Sequence, residues 1–306
     1  MGHDHDHGAV TGARSTRRLA VVLAITSAVF VAEVVGALLT GSLALLADAG
    51  HMLTDVAGLG LALLAAHLTT RQASDVRTWG YQRAEVLAAA AQAVLLLAVA
   101  TFVLVEGVRR LFEPPSVAAS GMLVFGIVGL LGNAVSIVLL ATSRTENLNL
   151  RGAFLEVVND ALGSVAVIVA AVVIAVTGWT RADAVVSLLI GVLILPRTFT
   201  LLRDAARVLL ESTPTGLELA EVRRHILEVP HVRDVHDLHA SVIATGSPIL
   251  SAHVVVDDDC FHDGHLASML DQLQTCVAEH FAVSIDHSTF QFELVSHAEH
   301  EGVRHA

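Results

Sequence analysis

The sequence predicts a polytopic α-helical membrane protein, with six transmembrane helices followed by a C-terminal α+β domain of order αββαβ. Three observations lead there. The 306 residues are 54% hydrophobic, with a mean hydropathy of +0.66, whereas soluble domains are roughly 45–50% apolar. The apolar residues gather in runs of about 20 or more, the length that crosses a hydrocarbon core. After Glu211 the long runs stop and short amphipathic segments replace them.

Six spans are expected at 19–40, 42–70, 84–105, 117–142, 152–176 and 184–202, within a membrane domain covering residues 17–210. No cleavable signal peptide precedes them, because residues 1–16 form an acidic, His-containing tail, read as disordered, with the run HDHDH. Arginines set the orientation. Arg14, Arg17 and Arg18 precede span one, Arg71, Arg77 and Arg83 follow span two, and Arg144 and Arg151 follow span four. Arg197, Arg203 and Arg207 mark the end of span six, while the opposite side has Arg109, Arg110 and Arg181. Both termini are therefore expected in the cytoplasm.

Thr213-Pro214 punctuates the boundary to the domain expected at 211–295. Thr215 and Glu218 have capping-box spacing for a first helix. Strand-like runs follow at 235–245 and 249–256, then a helix near 264–281 and an alternating strand at 284–294. That order predicts a ferredoxin-like domain, with a His-containing tail at 296–306. In the last strand the alternation puts Phe290, Phe292 and Leu294 on one face, with His287 and Glu293 on the other, exposed one.

Charge narrows the function. Only 16% of residues are charged, yet the net charge is −12 with His counted neutral, and there are 17 histidines. Such an acidic, His-rich chain is not a nucleic-acid binder. Cys260 and Cys276 form no metal-type or disulfide framework and are expected as reduced cytosolic thiols.

The chemistry concentrates inside the spans. His51 and Asp55 are four residues apart in span two, and Glu156 and Asp160 are four apart in span five. Each pair thus shares one helical face. An ionisable group at the bilayer centre costs roughly 2.5–3.5 kcal/mol even on lenient scales, so four of them need a shared partner. At about 1.5 Å per residue, Asp55 lies roughly 20 Å from the outer end of span two. That leaves about 10 Å to the inner face of a core about 30 Å thick. Asp160, counted from the inner end of span five, lies about 12 Å deep. The four groups can therefore meet, and one imidazole with three carboxylates suits Zn²⁺. No arginine is expected deep enough to neutralise them instead. Asp48 lies on the face of His51, and Glu33 and Glu106 are lone carboxylates read as structural or protonation sites.

The segments ALLADAGHMLTD, WGYQRAEVLAA, EPP, LEVVNDALGSV and VHDLH, with the six-span layout, resemble the cation diffusion facilitator family over about residues 17–295. The resemblance implies homodimeric metal/proton antiporters that export Zn²⁺ or related ions, with His51, Asp55, Glu156 and Asp160 at the transport-site positions. It also implies a regulatory zinc site near the dimer interface, drawn from His236, His239, His253, His265, His287 and Glu293. Two departures stand out. Zinc-selective relatives often carry His where this chain has Glu156. Some relatives bind a further metal in the loop after span two through histidines, where this chain has Arg77 and Tyr81, so no stable metal site is expected there.

These readings converge on a secondary transporter rather than an enzyme, moving Zn²⁺ out across the plasma membrane against protons, since carboxylate and imidazole ligands also bind H⁺. No GxxxxGK[ST] phosphate loop is present to bind ATP. A broader exporter of Cd²⁺, Co²⁺, Mn²⁺ or Fe²⁺ is the near alternative. An intramembrane metalloenzyme would call for an HExxH-type helix, which is missing, and a non-transporting metal sensor would not need an intramembrane site.

Overall fold

In a bilayer, runs of Leu, Val, Ala and Ile fold as helix because every backbone N–H and C=O must be satisfied within the segment. The computed structural model describes residues 7–141 and 148–298. Among them, six helices are long and apolar enough to cross a membrane. They are α1 His7–Thr40, α2 Leu43–Thr69, α3 Ala84–Phe112, α4 Ala119–Ala141, α5 Leu148–Thr177 and α6 Arg181–Leu209. Each predicted span matches one helix, but four run longer, α5 among them with its start at Leu148. Residues 7–16 of the expected tail belong to α1, because extending a helix costs far less than nucleating one. α3 continues to Phe112, and α6 to Leu209. The rest of the HDHDH run, together with His300 and His305, lies outside the described residues.

The described residues divide into two units, one formed by the chain up to Leu63 and by Ala91–Leu202, the other by Leu64–Ala90 and the chain from Arg203 onward. In the first, α4 packs against both α1 and α5. The α1–α2 turn shows how backbone groups are satisfied without water. Gly41, at φ 71°, takes the left-handed conformation that closes a helix C-terminus. Ser42 Oγ accepts from the Leu45 N–H at 3.1 Å and caps α2. Asp183, in the first turn of α6, accepts from Ser42 Oγ at 2.6 Å and from the Leu43 and Ala44 N–H groups at 2.8 and 3.1 Å. Those are donors that the start of a helix leaves without intrahelical partners. Arg110 completes this end, donating to the Gly41 carbonyl at 2.7 Å and pairing with Glu106 at 2.9 Å. Glu106 is thus neutralised locally.

The second unit holds α7 Leu219–Leu227, β1 Val232–Val242, β2 Pro248–Val256, α8 Cys260–Asp263, α9 His265–Glu279, β3 His287–Leu294 and α10 Val295–Ala298. The sheet order is β1-β2-β3, antiparallel between β1 and β2 and parallel between β2 and β3, with α9 in the crossover. Apart from the one-turn α8 and α10, this is the αββαβ order expected. Val222 and Ile226 of α7, Leu250 and Val254 of β2, and Leu273 and Val277 of α9 form its core. The predicted Thr215–Glu218 capping box does not form. Glu218 is the N-cap, without a side-chain cap bond. A turn that closes from Leu217 N–H to the Pro214 carbonyl at 3.1 Å, with Gly216 at φ 91°, carries Thr215 outside the helix. In the same unit, Arg77 lies over the Tyr81 ring at 4.7 Å, and Arg83 pairs with Glu211 at 2.9 Å.

Candidate metal centre

α2 and α5 bring the predicted intramembrane residues to one place, counted along the helices. Asp55 is twelve residues from the start of α2, and Asp160 twelve from the start of α5, each roughly 18 Å along the axis. One ligand atom each from His51, Asp55 and Asp160 lie within 4.8 Å of one another. His51 Nε2 and Asp55 Oδ2 are 3.7 Å apart. Asp160 is 2% exposed. His51 Nδ1 and Asp160 Oδ1 are buried with no hydrogen-bond partner among the described residues. Lone pairs left bare in this way cost free energy unless something binds them. Nitrogen and carboxylate oxygen in a group of three are a donor set that suits Zn²⁺.

Glu156, the fourth predicted ligand, is not among these three convergent donors. Its Oε1 is in close contact with Arg197 Nη1 of α6. Arg197 Nη2 also lies 3.4 Å from Asp55 Oδ1. The expectation that no arginine reaches these carboxylates is therefore corrected. The reason is the length of α6, which carries Arg197 twelve residues inside its end at Leu209 rather than at a membrane edge.

Two more acids are buried in the same unit. Glu33 of α1 is 1% exposed and Asp48 of α2 is 2% exposed. Two glycines allow the approach that encloses them. A Cβ on Gly129 of α4 would lie 2.5 Å from Glu33 Oε1, and one on Gly163 of α5 would lie 2.4 Å from Asp48 Oδ1. Asp48 is thus enclosed between α2 and α5 rather than presented at a helix end.

The C-terminal domain forms a second cluster. Register pairs His236 of β1 with His253 of β2, and Val255 with Glu293 of β3. Paired residues share a sheet face, so His236, His253 and Glu293 stand on the face opposite the core. Glu293 bridges the two imidazoles, with Oε2 3.2 Å from His236 Nε2 and Oε1 2.9 Å from His253 Nδ1. A bulge in β1 between His236 and His239 puts Asp237 at φ 45°. Bulges re-aim side chains in this way. Asp237 Oδ2 then lies 2.9 Å from His236 Nδ1 and fixes that ring.

Glu293 is only 3% exposed. Its expected place on an exposed face is corrected, because the two imidazoles cover it. His265 and His287 stand apart from this cluster. His265 Nδ1 pairs with Asp263 at 2.6 Å and stacks on His231, and His287 packs edge-on against Trp79 at 4.8 Å. The sequence reading missed Asp237 and Arg197. VHDLH contained the first in plain sight, and counting back from a longer α6 would have found the second.

Comparison with known proteins agrees with this architecture. The cation efflux transmembrane domain matches residues 19–210, and the cytoplasmic domain of cation efflux proteins matches residues 214–294. The chain is 41% identical to the metal cation efflux system protein CzcD of Cupriavidus metallidurans, across 99% of this chain and 93% of that protein. It is 39% identical to the zinc transporter ZitB of Escherichia coli, across 96% of this chain and 93% of the relative. Identity is 35% to the cadmium, cobalt and zinc/H(+)-K(+) antiporter of Bacillus subtilis, across 100% of this chain and 90% of the relative. With six apolar helices, an intramembrane His/Asp cluster and both family domains matched along its length, the chain belongs to the cation efflux, or cation diffusion facilitator, family.

Proposed function

We propose that this chain exports divalent metal ions, zinc foremost, from the cytoplasm in exchange for protons. It works as a homodimer in the plasma membrane, with both termini in the cytoplasm. The observation that carries the reading is the meeting of His51, Asp55 and Asp160 within 4.8 Å inside apolar helices. Such a group has no structural use that hydrocarbon side chains would not serve at lower cost. The relatives support it, since their names describe metal cation efflux, zinc transport and antiport with H(+). The match to the family's cytoplasmic domain at residues 214–294 supports the homodimer. The arginines gathered in the N-terminal part of α1 (Arg14, Arg17, Arg18) and the C-terminal part of α6 (Arg203, Arg207) support the orientation.

In this mechanism the metal is substrate. His51, Asp55 and Asp160 bind it from the cytoplasmic side, and a rearrangement of the helices opens the cluster outward. Protons then take the lone pairs that the metal used, and the loaded ligands return. In proteoliposomes, zinc entering the lumen is expected to drive protons out, read with a lumenal pH dye while the membrane potential is clamped. Zinc flux indifferent to an imposed pH gradient would remove the exchange step.

A broader metal range has an observation in its favour, the carboxylate-rich donor set that includes Glu156. Oxygen ligands suit Mn²⁺ better than imidazole does. Glu156→His is expected to keep zinc transport and narrow the range, so that Cd²⁺, Co²⁺ and Mn²⁺ compete less well with zinc. Parallel competition assays decide it, and identical metal profiles would show that Glu156 does not tune selectivity.

A further inference from the structure

Three donors converge on the intramembrane site, yet zinc commonly takes four ligands. The fourth carboxylate of the region, Glu156, is engaged by a positive charge that belongs to the protein. Arg197 reaches across from α6 with both terminal nitrogens, Nη1 to Glu156 Oε1 and Nη2 to Asp55 Oδ1 at 3.4 Å. A guanidinium is always charged and presents its donors as a rigid fork. It therefore hydrogen-bonds Glu156 and stands within ion-pair range of Asp55, whose oxygens have no hydrogen-bond partner among the described residues, where a metal ion would engage the same two carboxylates. Pro196 precedes it inside α6. Proline has no N–H to donate to the preceding turn, so the ladder is interrupted next to Arg197 and the helix is easier to deform there.

We propose that Arg197 is a tethered cation that occupies Asp55 and Glu156 in the metal-free site and is displaced from them by the incoming divalent ion. The inference rests on the reading of His51, Asp55 and Asp160 as the transport site. Displacement frees Glu156 to complete the coordination shell. The return of Arg197 to the carboxylates then helps expel the metal on the far side, and it keeps the empty carrier from holding two bare negative charges in a low dielectric. Arg197 is a positioning residue in this scheme, because it acts on the ligands and not on the metal.

The two roles open to such an arginine predict opposite signs. A purely structural ion pair, once broken, loosens the site and weakens metal binding. A competitor, once removed, strengthens it, since a positive charge within a few ångströms no longer opposes the ion. The test is Zn²⁺ binding by calorimetry on the full chain in detergent, with zinc flux in vesicles measured beside it. The binding event that disappears in Asp160→Ala identifies the intramembrane site. Arg197→Gln is expected to tighten that event by about tenfold, with lower KM and lower kcat because release slows. Arg197→Lys keeps the charge without the fork and is expected to bind zinc with an affinity between wild type and Arg197→Gln.

Weaker or unchanged binding by a folded Arg197→Gln would overturn the proposal. Should that variant not fold, Arg197→Gln/Glu156→Gln keeps the charges balanced and is compared with Glu156→Gln alone. In the double variant Asp55 has still lost its competitor, so tighter binding supports the proposal, and equal or weaker binding overturns it. Failure of the underlying site reading looks different: Asp160→Ala would then bind and transport zinc as wild type does.

Discussion

Asp160→Ala is expected to bring zinc flux in reconstituted vesicles down to background while the protein stays folded. The proposed site has three converging donors, and this substitution leaves two. Loss of even an outer-shell partner costs about 10–100-fold in metal affinity, so loss of a ligand is expected to cost more than about 100-fold. Folding should survive, because Asp160 is 2% exposed with Oδ1 unpartnered. Its removal takes away a buried polar group rather than a packed side chain. Asp160 is also the cleaner choice of the two aspartates. Asp55 pairs with Arg197 at 3.4 Å, so Asp55→Ala removes a ligand and a counter-ion together. Both variants are expected to lose flux, with size-exclusion elution unchanged. Near-wild-type flux in Asp160→Ala would refute the assignment of the site.

Much of this was written in the sequence because membranes and sheets impose short periods. His51 with Asp55, and Glu156 with Asp160, each fall on one face through the helical repeat alone. Rise per residue then sets both pairs at comparable depth. What the sequence did not show depended on where helices end and on where a bulge breaks alternation. α6 was expected to end at 202, and it continues to Leu209 through Arg203, Asp204 and Arg207. Those charges mark the edge of the apolar stretch without ending the helix, so the hydropathy pattern puts Arg197 at a boundary although it lies well inside. In β1, irregularities between Val232 and Asp234 and between His236 and His239 break the two-residue period, which hides the early start of the strand at Val232 and the contact between Asp237 and His236. Alternation puts Glu293 on the face away from the core, where it lies. Its burial depends on side chains from two other strands, and no local pattern contains that.

Zinc is expected to strengthen dimerisation of the cytosolic segment 211–297 by about tenfold or more, and Glu293→Ala is expected to abolish that response. A ligand that binds one state better than another stabilises it in proportion to the difference. Here a single chain gathers three donors, His236, His253 and Glu293. Tetrahedral zinc has a fourth position, and a donor from the second copy would fill it only in the dimer. The segment has its own hydrophobic core, from Val222 through Val254 to Val277, so it is expected to fold when expressed alone. Glu293 is the informative position because it holds both imidazoles at once, at 3.2 and 2.9 Å. Replacing it removes one ligand and also releases the two others from their fixed orientation. His253→Ala leaves Glu293 on His236 and should keep a weak response. Sedimentation with zinc, and again with chelator, gives the dimer constants for all three proteins. A wild-type constant indifferent to zinc, with no zinc binding by calorimetry, would make this domain a dimerisation module without a metal site.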